Sequence, residues 1–440
     1  QGEASIFTEL GSTSTLANAP LTISSTFSAV EINKLAMHWS ANSNPLKTVF
    51  IAEISGAPEF GLIAGSCVTV ISSAAFTGLA ANTTYYARTK ARSHAGADTA
   101  YTLLGSTVTK ANPVEALGYS SVSISTIASN WTQNSNPLGT LYKAELTTDP
   151  SFDAITQASV TLNTTALFAG LAVNTTYYTR VQAINAQGES TDFVNLGSTS
   201  TLASDPLRKI FTFSVVGIND LVMHWGASDN PPKTVFIAEI SSDSEFGLLA
   251  GSSATVLSSA AFSDLTANTS YYARVKARSH ARADTDYTFL GLAVTKANPV
   301  EALAFDSVST TTIASNWTQS SNPPGTQYRA QVSLDPAFVS IAQASVTRNT
   351  SAQFSGLYLN TTYYSRVKAV NAQDVSTAFT DLGSTTTLCN QPTRLYPTFS
   401  DIQRFAMTIQ WWSNQNPSGT LYVVEASTWP GFPYIYTTAR

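Results

Sequence analysis

Apolar residues along this chain recur at alternate positions, in short runs that break at Asn, Pro, Gly or Ser. Leu35, Met37 and Trp39 fall on one face, with Ala36 and His38 on the other, and Leu221, Met223 and Trp225 repeat the pattern. After a polar Asn-Pro turn, Phe50, Ala52 and Ile54 share a face, as do Tyr142, Ala144 and Leu146. A period of two is the mark of a strand with one buried face. No stretch keeps a helical period for longer than a turn. Many short strands bounded by turn residues predict an all-β chain of sandwiches.

The same pattern returns at a fixed interval. Pro20, Pro113, Pro206, Pro299 and Pro392 are each 93 residues apart. Trp39, Trp131, Trp225, Trp317 and Trp411 step by 92, 94, 92 and 94. The segment KTVFIAEIS occurs at 47–55 and again at 233–241, and NPVEAL at 112–117 and at 298–303. Alternate modules are therefore the most alike, and the larger unit is a duplicated pair.

Within a module come a Trp on the second strand, an aromatic residue opening the third, and a Leu six residues before a Tyr: Leu79–Tyr85, Leu171–Tyr177, Leu265–Tyr271 and Leu357–Tyr363. These marks resemble the fibronectin type III family over the whole chain, and the uniform, cysteine-poor modules look most like bacterial surface arrays. The resemblance implies seven-stranded β-sandwiches in tandem. It also implies a tyrosine corner, in which each of these Tyr hydroxyls bonds back to nearby backbone. The family usually carries Pro and Gly in the turn before this Tyr, where this chain has AANTT, AVNTT, TANTS and YLNTT. Asn tolerates such turns, so the fold is still expected.

Alternation makes a register prediction. Glu53, Glu145 and Glu239 face outward on the third strand, and Arg88, Arg180 and Arg274 on the sixth. If those strands are neighbours, cross-strand pairs Glu53–Arg88, Glu145–Arg180 and Glu239–Arg274 follow, with Gln331 facing Arg366 in the fourth module. Tyr86, Tyr178, Tyr272 and Tyr364 also point outward, each expected to cover its own sheet beside the Arg stem.

The expected divisions are 1–15, the last strand of a partial module; 16–110, 111–203, 204–296 and 297–388, four complete modules; and 389–440, the first half of another. The links TLANAP, TKANP and TLASDP are short, glycine-free and end in Pro. Proline fixes φ and restricts its predecessor, so short stiff linkers and a rod of modules are expected. The partial ends suggest a window on a longer array. The sharper alternative is that the ends of successive copies complete one another.

Composition narrows the function. Only 12% of residues are charged, about half the usual share, and the net charge is -5. No basic run is present, so no footprint for nucleic acid or an anionic membrane is expected. No apolar stretch is long enough for a membrane span. Cys67 and Cys389 stand at non-equivalent points of different repeats, so no bridge between them is expected.

Candidate chemistry is sparse. His38, His94, His224 and His280 form two equivalent pairs that read as surface residues, so no metal site is expected. No cofactor-binding loop, nucleophile elbow or paired carboxylates appear, and catalysis is not expected. Arg282-Ala283-Asp284 falls where some fibronectin type III modules carry an adhesive RGD tripeptide, but RGD itself is absent and the segment reads as an ordinary turn. Eight N-x-[ST] sequons are N-glycan candidates, all expected on exposed positions: Asn82, Asn130, Asn163, Asn174, Asn268, Asn316, Asn349 and Asn360. The expected role is a structural, non-catalytic rod in an extracellular or cell-surface filament. Its partners would be neighbouring copies of itself or further modules of the same chain, with covalent glycans. The alternatives are the stalk of a surface adhesin whose tip lies elsewhere, or a spacer of a secreted carbohydrate-active enzyme.

Overall fold

The computed structural model describes residues 6–439. They divide into two compact units: Gln1–Ser204 with Asp229–Thr234 and Arg278–Thr285, and Asp205–Ser228 with Val235–Ala277 and Asp286–Arg440. All the regular structure among the described residues is β-strand.

In the first unit, one sandwich is built from β1 (Phe27–Ser28), β2 (Lys34–His38), β3 (Val49–Ser55), β4 (Gly65–Thr69), β5 (Ser73–Thr77), β6 (Thr84–Arg92) and β7 (Thr102–Val108). Its two sheets run β1-β2-β5 and β4-β3-β6-β7. The next comprises β8 (Ala116–Val122), β9 (Thr126–Trp131), β10 (Leu141–Thr147), β11 (Gln157–Thr161), β12 (Thr165–Ala169), β13 (Thr176–Ile184) and β14 (Val194–Ser200), in sheets β12-β9-β8 and β11-β10-β13-β14.

The same order recurs in β15 (Leu207–Val216), β16 (Leu221–Gly226), β17 (Val235–Ser241), β18 (Gly251–Thr255), β19 (Ser259–Phe262), β20 (Ser270–Arg278) and β21 (Thr288–Val294). A fourth sandwich has β22 (Thr312–Asn316), β23 (Gln327–Ser333), β24 (Gln343–Thr347), β25 (Ser351–Ser355), β26 (Thr362–Val370) and β27 (Thr380–Thr386). Its first strand is reduced to isolated bridges, Ala302 to Trp317 and Val308 to Ile313. Beyond it lie the hairpins β28 (Thr393–Ser400) with β29 (Thr408–Trp412) and β30 (Val424–Ala426) with β31 (Thr437–Ala439). Residues 6–15, expected as a last strand, carry no strand, and 1–5 lie outside the described residues.

Alternation places the core. β6 buries Tyr85, Ala87, Thr89 and Ala91 and turns Tyr86, Arg88 and Lys90 outward. Each complete sandwich closes around its buried Trp, packed edge-on or tilted against the aromatic that opens the third strand. Ring centroids are 5.7 Å apart for Trp39–Phe50 and Trp131–Tyr142, 5.8 Å for Trp225–Phe236 and 5.6 Å for Trp317–Tyr328. Truncating such a ring to Ala costs roughly 3–5 kcal/mol. The tyrosine corner forms four times: the backbone N–H of Ala80, Ala172, Thr266 and Tyr358 donates to the hydroxyl of Tyr85, Tyr177, Tyr271 and Tyr363 at 2.9–3.0 Å.

The recurrent Leu-Gly pair gains a reason. Ala87 pairs with Gly105 but Arg88 with Leu103, so Leu104 is the extra residue of a bulge and drops into the core. Gly105 accommodates the bulge at φ 96°, and Gly197, Gly291 and Gly383 repeat it.

Candidate functional site at the module junctions

The richest polar geometry gathers where one sandwich hands the chain to the next. The Asn of each Asn-Pro turn grips the incoming link at two points. In the first unit, Asn112 N–H donates to Asn136 Oδ1 at 2.8 Å, and Asn136 Nδ2 returns a bond to the Asn112 carbonyl at 2.9 Å. Asn44 grips Asn18, and Asn230 grips Ser204, in the same way. In the second unit, Asn322 grips Asn298 and Asn416 grips Asn390. The Thr that opens the link is held too: Thr109 Oγ1 donates to the Ala80 carbonyl at 2.7 Å and accepts from Thr83 N–H at 3.0 Å. Thr201, Thr295 and Thr387 repeat this.

A second Asn reaches across the junction. Asn82 sits at φ 45° in the turn before the tyrosine corner, a left-handed conformation that Asn tolerates. Its Nδ2 donates to Thr140 Oγ1 at 2.9 Å, and its Oδ1 accepts from Ala186 N–H at 2.9 Å. Within the first unit Asn174 does the same with Thr234, at 2.8 Å, and with His280 N–H, at 2.7 Å. In the second unit Asn268 bridges to Thr326 and Ala372, and Asn360 reaches Thr420. The side chain that replaces the family's usual turn residues is therefore the clamp between modules.

This corrects the expectation that all eight sequons are exposed. Asn174 is 0% exposed and both polar atoms of its amide are engaged. Asn82, Asn268 and Asn360 are half-buried with Nδ2 committed to a threonine, because the following module covers the turn. Asn130 and Asn316 are half-buried on strands, each followed by a core Trp. Asn130 packs against Ser120, and Asn316 donates to the Ala304 carbonyl at 3.2 Å. Asn163 and Asn349 are exposed.

The four-stranded sheets carry the predicted pairs. Arg88–Glu53, Arg180–Glu145 and Arg274–Glu239 close to 2.7 Å, and Arg366 Nε donates to Gln331 Oε1 at 2.9 Å. Their surroundings differ from an open outer face. Each guanidinium lies between two rings, Phe60 and Tyr101 on Arg88 at 4.3 and 3.9 Å, and Phe152 and Phe193 on Arg180 at 4.4 and 4.1 Å. Phe246 with Tyr287 and Phe338 with Phe379 complete the set on Arg274 and Arg366. Tyr86, Tyr178, Tyr272 and Tyr364 are half-buried on the same strands. Beneath its roof Glu145 is buried. Burial opposes its ionisation, but Lys143 and Arg180 outweigh that and hold its carboxyl below the ordinary value. The recurrence of Phe60, Phe152, Phe246 and Phe338 at the repeat interval was the signal for this roof.

The histidines have structural partners. Ser28 Oγ meets His38 Nε2 at 2.7 Å and Ser214 Oγ meets His224 Nε2 at 2.6 Å. The equivalent pairs Ser120–Asn130 and Ser400–Gln410 put an amide in the imidazole's place, so the position is a cross-strand polar contact. His94 and His280 lie in loops after the sixth strand, and His280 contributes its backbone N–H to the Asn174 clamp. Among the described residues no group of three His, Cys, Asp or Glu is placed to hold a metal ion. Asp284 of the Arg282-Ala283-Asp284 turn is engaged by Arg278 at 2.5 Å. No helix of the described residues is long and apolar enough to cross a membrane.

No protein-family model matches the chain, and no curated protein matches it. Among solved structures it is similar to the FN1–FN3 domains of chicken CNTN1, at 16% identity over 63% of this chain and 100% of that one, with a TM-score of 0.21. It is also similar to a two-domain fibronectin type III segment of chicken tenascin, at 13% identity over 42% of this chain and 100% of that one, with a TM-score of 0.31. Strand order, the buried tryptophan and the tyrosine corner make the chain a tandem array of fibronectin type III-like β-sandwiches.

Proposed function

We propose that this array is a structural, non-catalytic spacer: a stiff rod of modules forming part of an extracellular or cell-surface filament. The observation that carries this reading is the repeated junction clamp. A link held by an Asn-Pro turn, with a second Asn bonded to two separate loops of the following module, resists both bending and rotation. A tether meant to flex would have glycine and free polar groups there. Low charge and near-identical modules support the same reading, because they let neighbouring copies pack without strong repulsion. The partners of such a rod are further modules of its own chain or copies of itself, side by side or head to tail.

Electron microscopy of the native material, with intact mass measured on the same sample, tests this. Regular filaments with a repeat of one or two modules are the expected result. Separate, freely bending strings would overturn the filament reading and favour an adhesin stalk or the spacer of a secreted carbohydrate-active enzyme.

A further inference from the structure

We propose that Asn163 and Asn349 are the N-glycan acceptor sites of this chain, one on the second sandwich and one on the fourth. Both stand in the short loop that carries the chain from one sheet of its sandwich to the other, between β11 and β12 and between β24 and β25. In each sequon the Asn is exposed, and so is the hydroxyl residue two positions on, Thr165 or Ser351. The backbone N–H of each Asn is held by Thr161 or Thr347 Oγ1 at 3.0 Å, which fixes the loop. Among the described residues neither side-chain amide bonds to protein. A shallow groove opens beside each loop, bordered by Gln133, Pro137 and Leu138 at Asn163 and by Gln319, Pro323 and Pro324 at Asn349. A first sugar can therefore lie against the turn without displacing a strand.

The other six sequons fail on the same criteria. Transfer requires the amide nitrogen to attack the anomeric carbon of an activated sugar. A C–N bond forms, the pyrophosphate-linked carrier leaves with the electron pair of its C–O bond, and the nitrogen gives up one proton. In Asn82, Asn174, Asn268 and Asn360 that nitrogen is the donor of the junction clamp. A sugar there would cost the clamp its threonine and wedge the modules apart. Asn130 and Asn316 lie within strands beside a buried Trp. The first and third sandwiches have Ile71 and Leu257, both exposed, where the second and fourth have the acceptor. The sugars would thus mark every second module.

This assignment rests on the extracellular placement proposed above, so two measurements are needed. Glycopeptide mapping of the native chain is expected to find sugar on Asn163 and Asn349 and none on the four clamp asparagines. The folded recombinant chain, incubated with UDP-glucose and a soluble N-glycosyltransferase, is expected to gain one hexose at each of the same two positions, and N163Q and N349Q to lose one each. Transfer to a clamp asparagine of the folded chain, or failure at both loops, overturns the assignment on geometry. A native chain bare at both sites overturns it too. If the recombinant chain was modified, that failure lies in the placement of the protein outside the cell rather than in the sites.

Discussion

The aromatic roof over the Glu–Arg pairs turns a weak surface interaction into a protected one. An exposed pair contributes little, because water screens it and two long side chains must be ordered. Here Glu145 is buried, and Arg180 is fixed between Phe152 and Phe193 while Lys143 approaches at 2.7 Å. Since its folded carboxyl titrates below the ordinary value, its contribution is present above the unfolded value of ~4.3 and is lost as pH falls through the folded one. Gln331 shows that a neutral amide fits the position. E145Q is therefore expected to fold, with protection of β10 and β13 lower by about 1 kcal/mol at pH 7. That gap should narrow as pH falls below the ordinary carboxylate value of ~4.3. Hydrogen exchange of the two proteins at matched pH measures it, and a gap unchanged in acid would refute the account. The register of this pair was legible from alternation. Its cover was not, because Phe152 and Phe193 come from loops outside the strand pattern.

At the scale of elements, the junction turns carry information that strands do not. The turn before each tyrosine corner holds its Asn in the left-handed region, which Gly, Asn and Asp adopt far more readily than other residues. Among these Asn also presents a donor group and an acceptor group, and the next module offers a threonine hydroxyl and a loop N–H to match. N82A is expected to leave the sandwich cores intact and release the Ala186 amide, whose exchange should rise up to about tenfold for one lost hydrogen bond. Site-resolved hydrogen exchange on the full chain reads this directly, and an unchanged Ala186 would show that packing alone holds the junction. The Leu-Gly bulge is a similar case. The recurring pair was visible in the sequence, but that it drops Leu104 into the core depends on the register between β6 and β7.

For the whole molecule, stability comes from repeated cores and not from cross-links. Each complete sandwich buries its own Trp, and Cys67 and Cys389 are free, the second exposed. The thermal unfolding midpoint is expected to be the same with and without reductant. A fall of several degrees under reduction would reveal a bridge formed between copies, through Cys389 first. The two-module period also persists beyond the sequence: Tyr142 and Tyr328 alternate with Phe50 and Phe236 beneath the tryptophans, and exposed sequons alternate with exposed Ile71 and Leu257.

What the sequence determined by itself was everything that depends on order along one dimension: strand alternation, the 93-residue interval, the buried Trp and the Glu–Arg register. A strand exposes its faces by parity, and a repeat exposes itself by recurrence, so neither needs a third dimension. What only the tertiary structure decided was which exposed-looking residues are taken. Asn82 meets partners 58 and 104 residues away. Asn163 shares the sequence Asn-Thr-Thr and is exposed; the Tyr three residues after Asn82 marks its turn in the sequence but not what covers it. The difference arises because the next module packs against one turn and leaves the other in an exposed loop between the two sheets of its own sandwich.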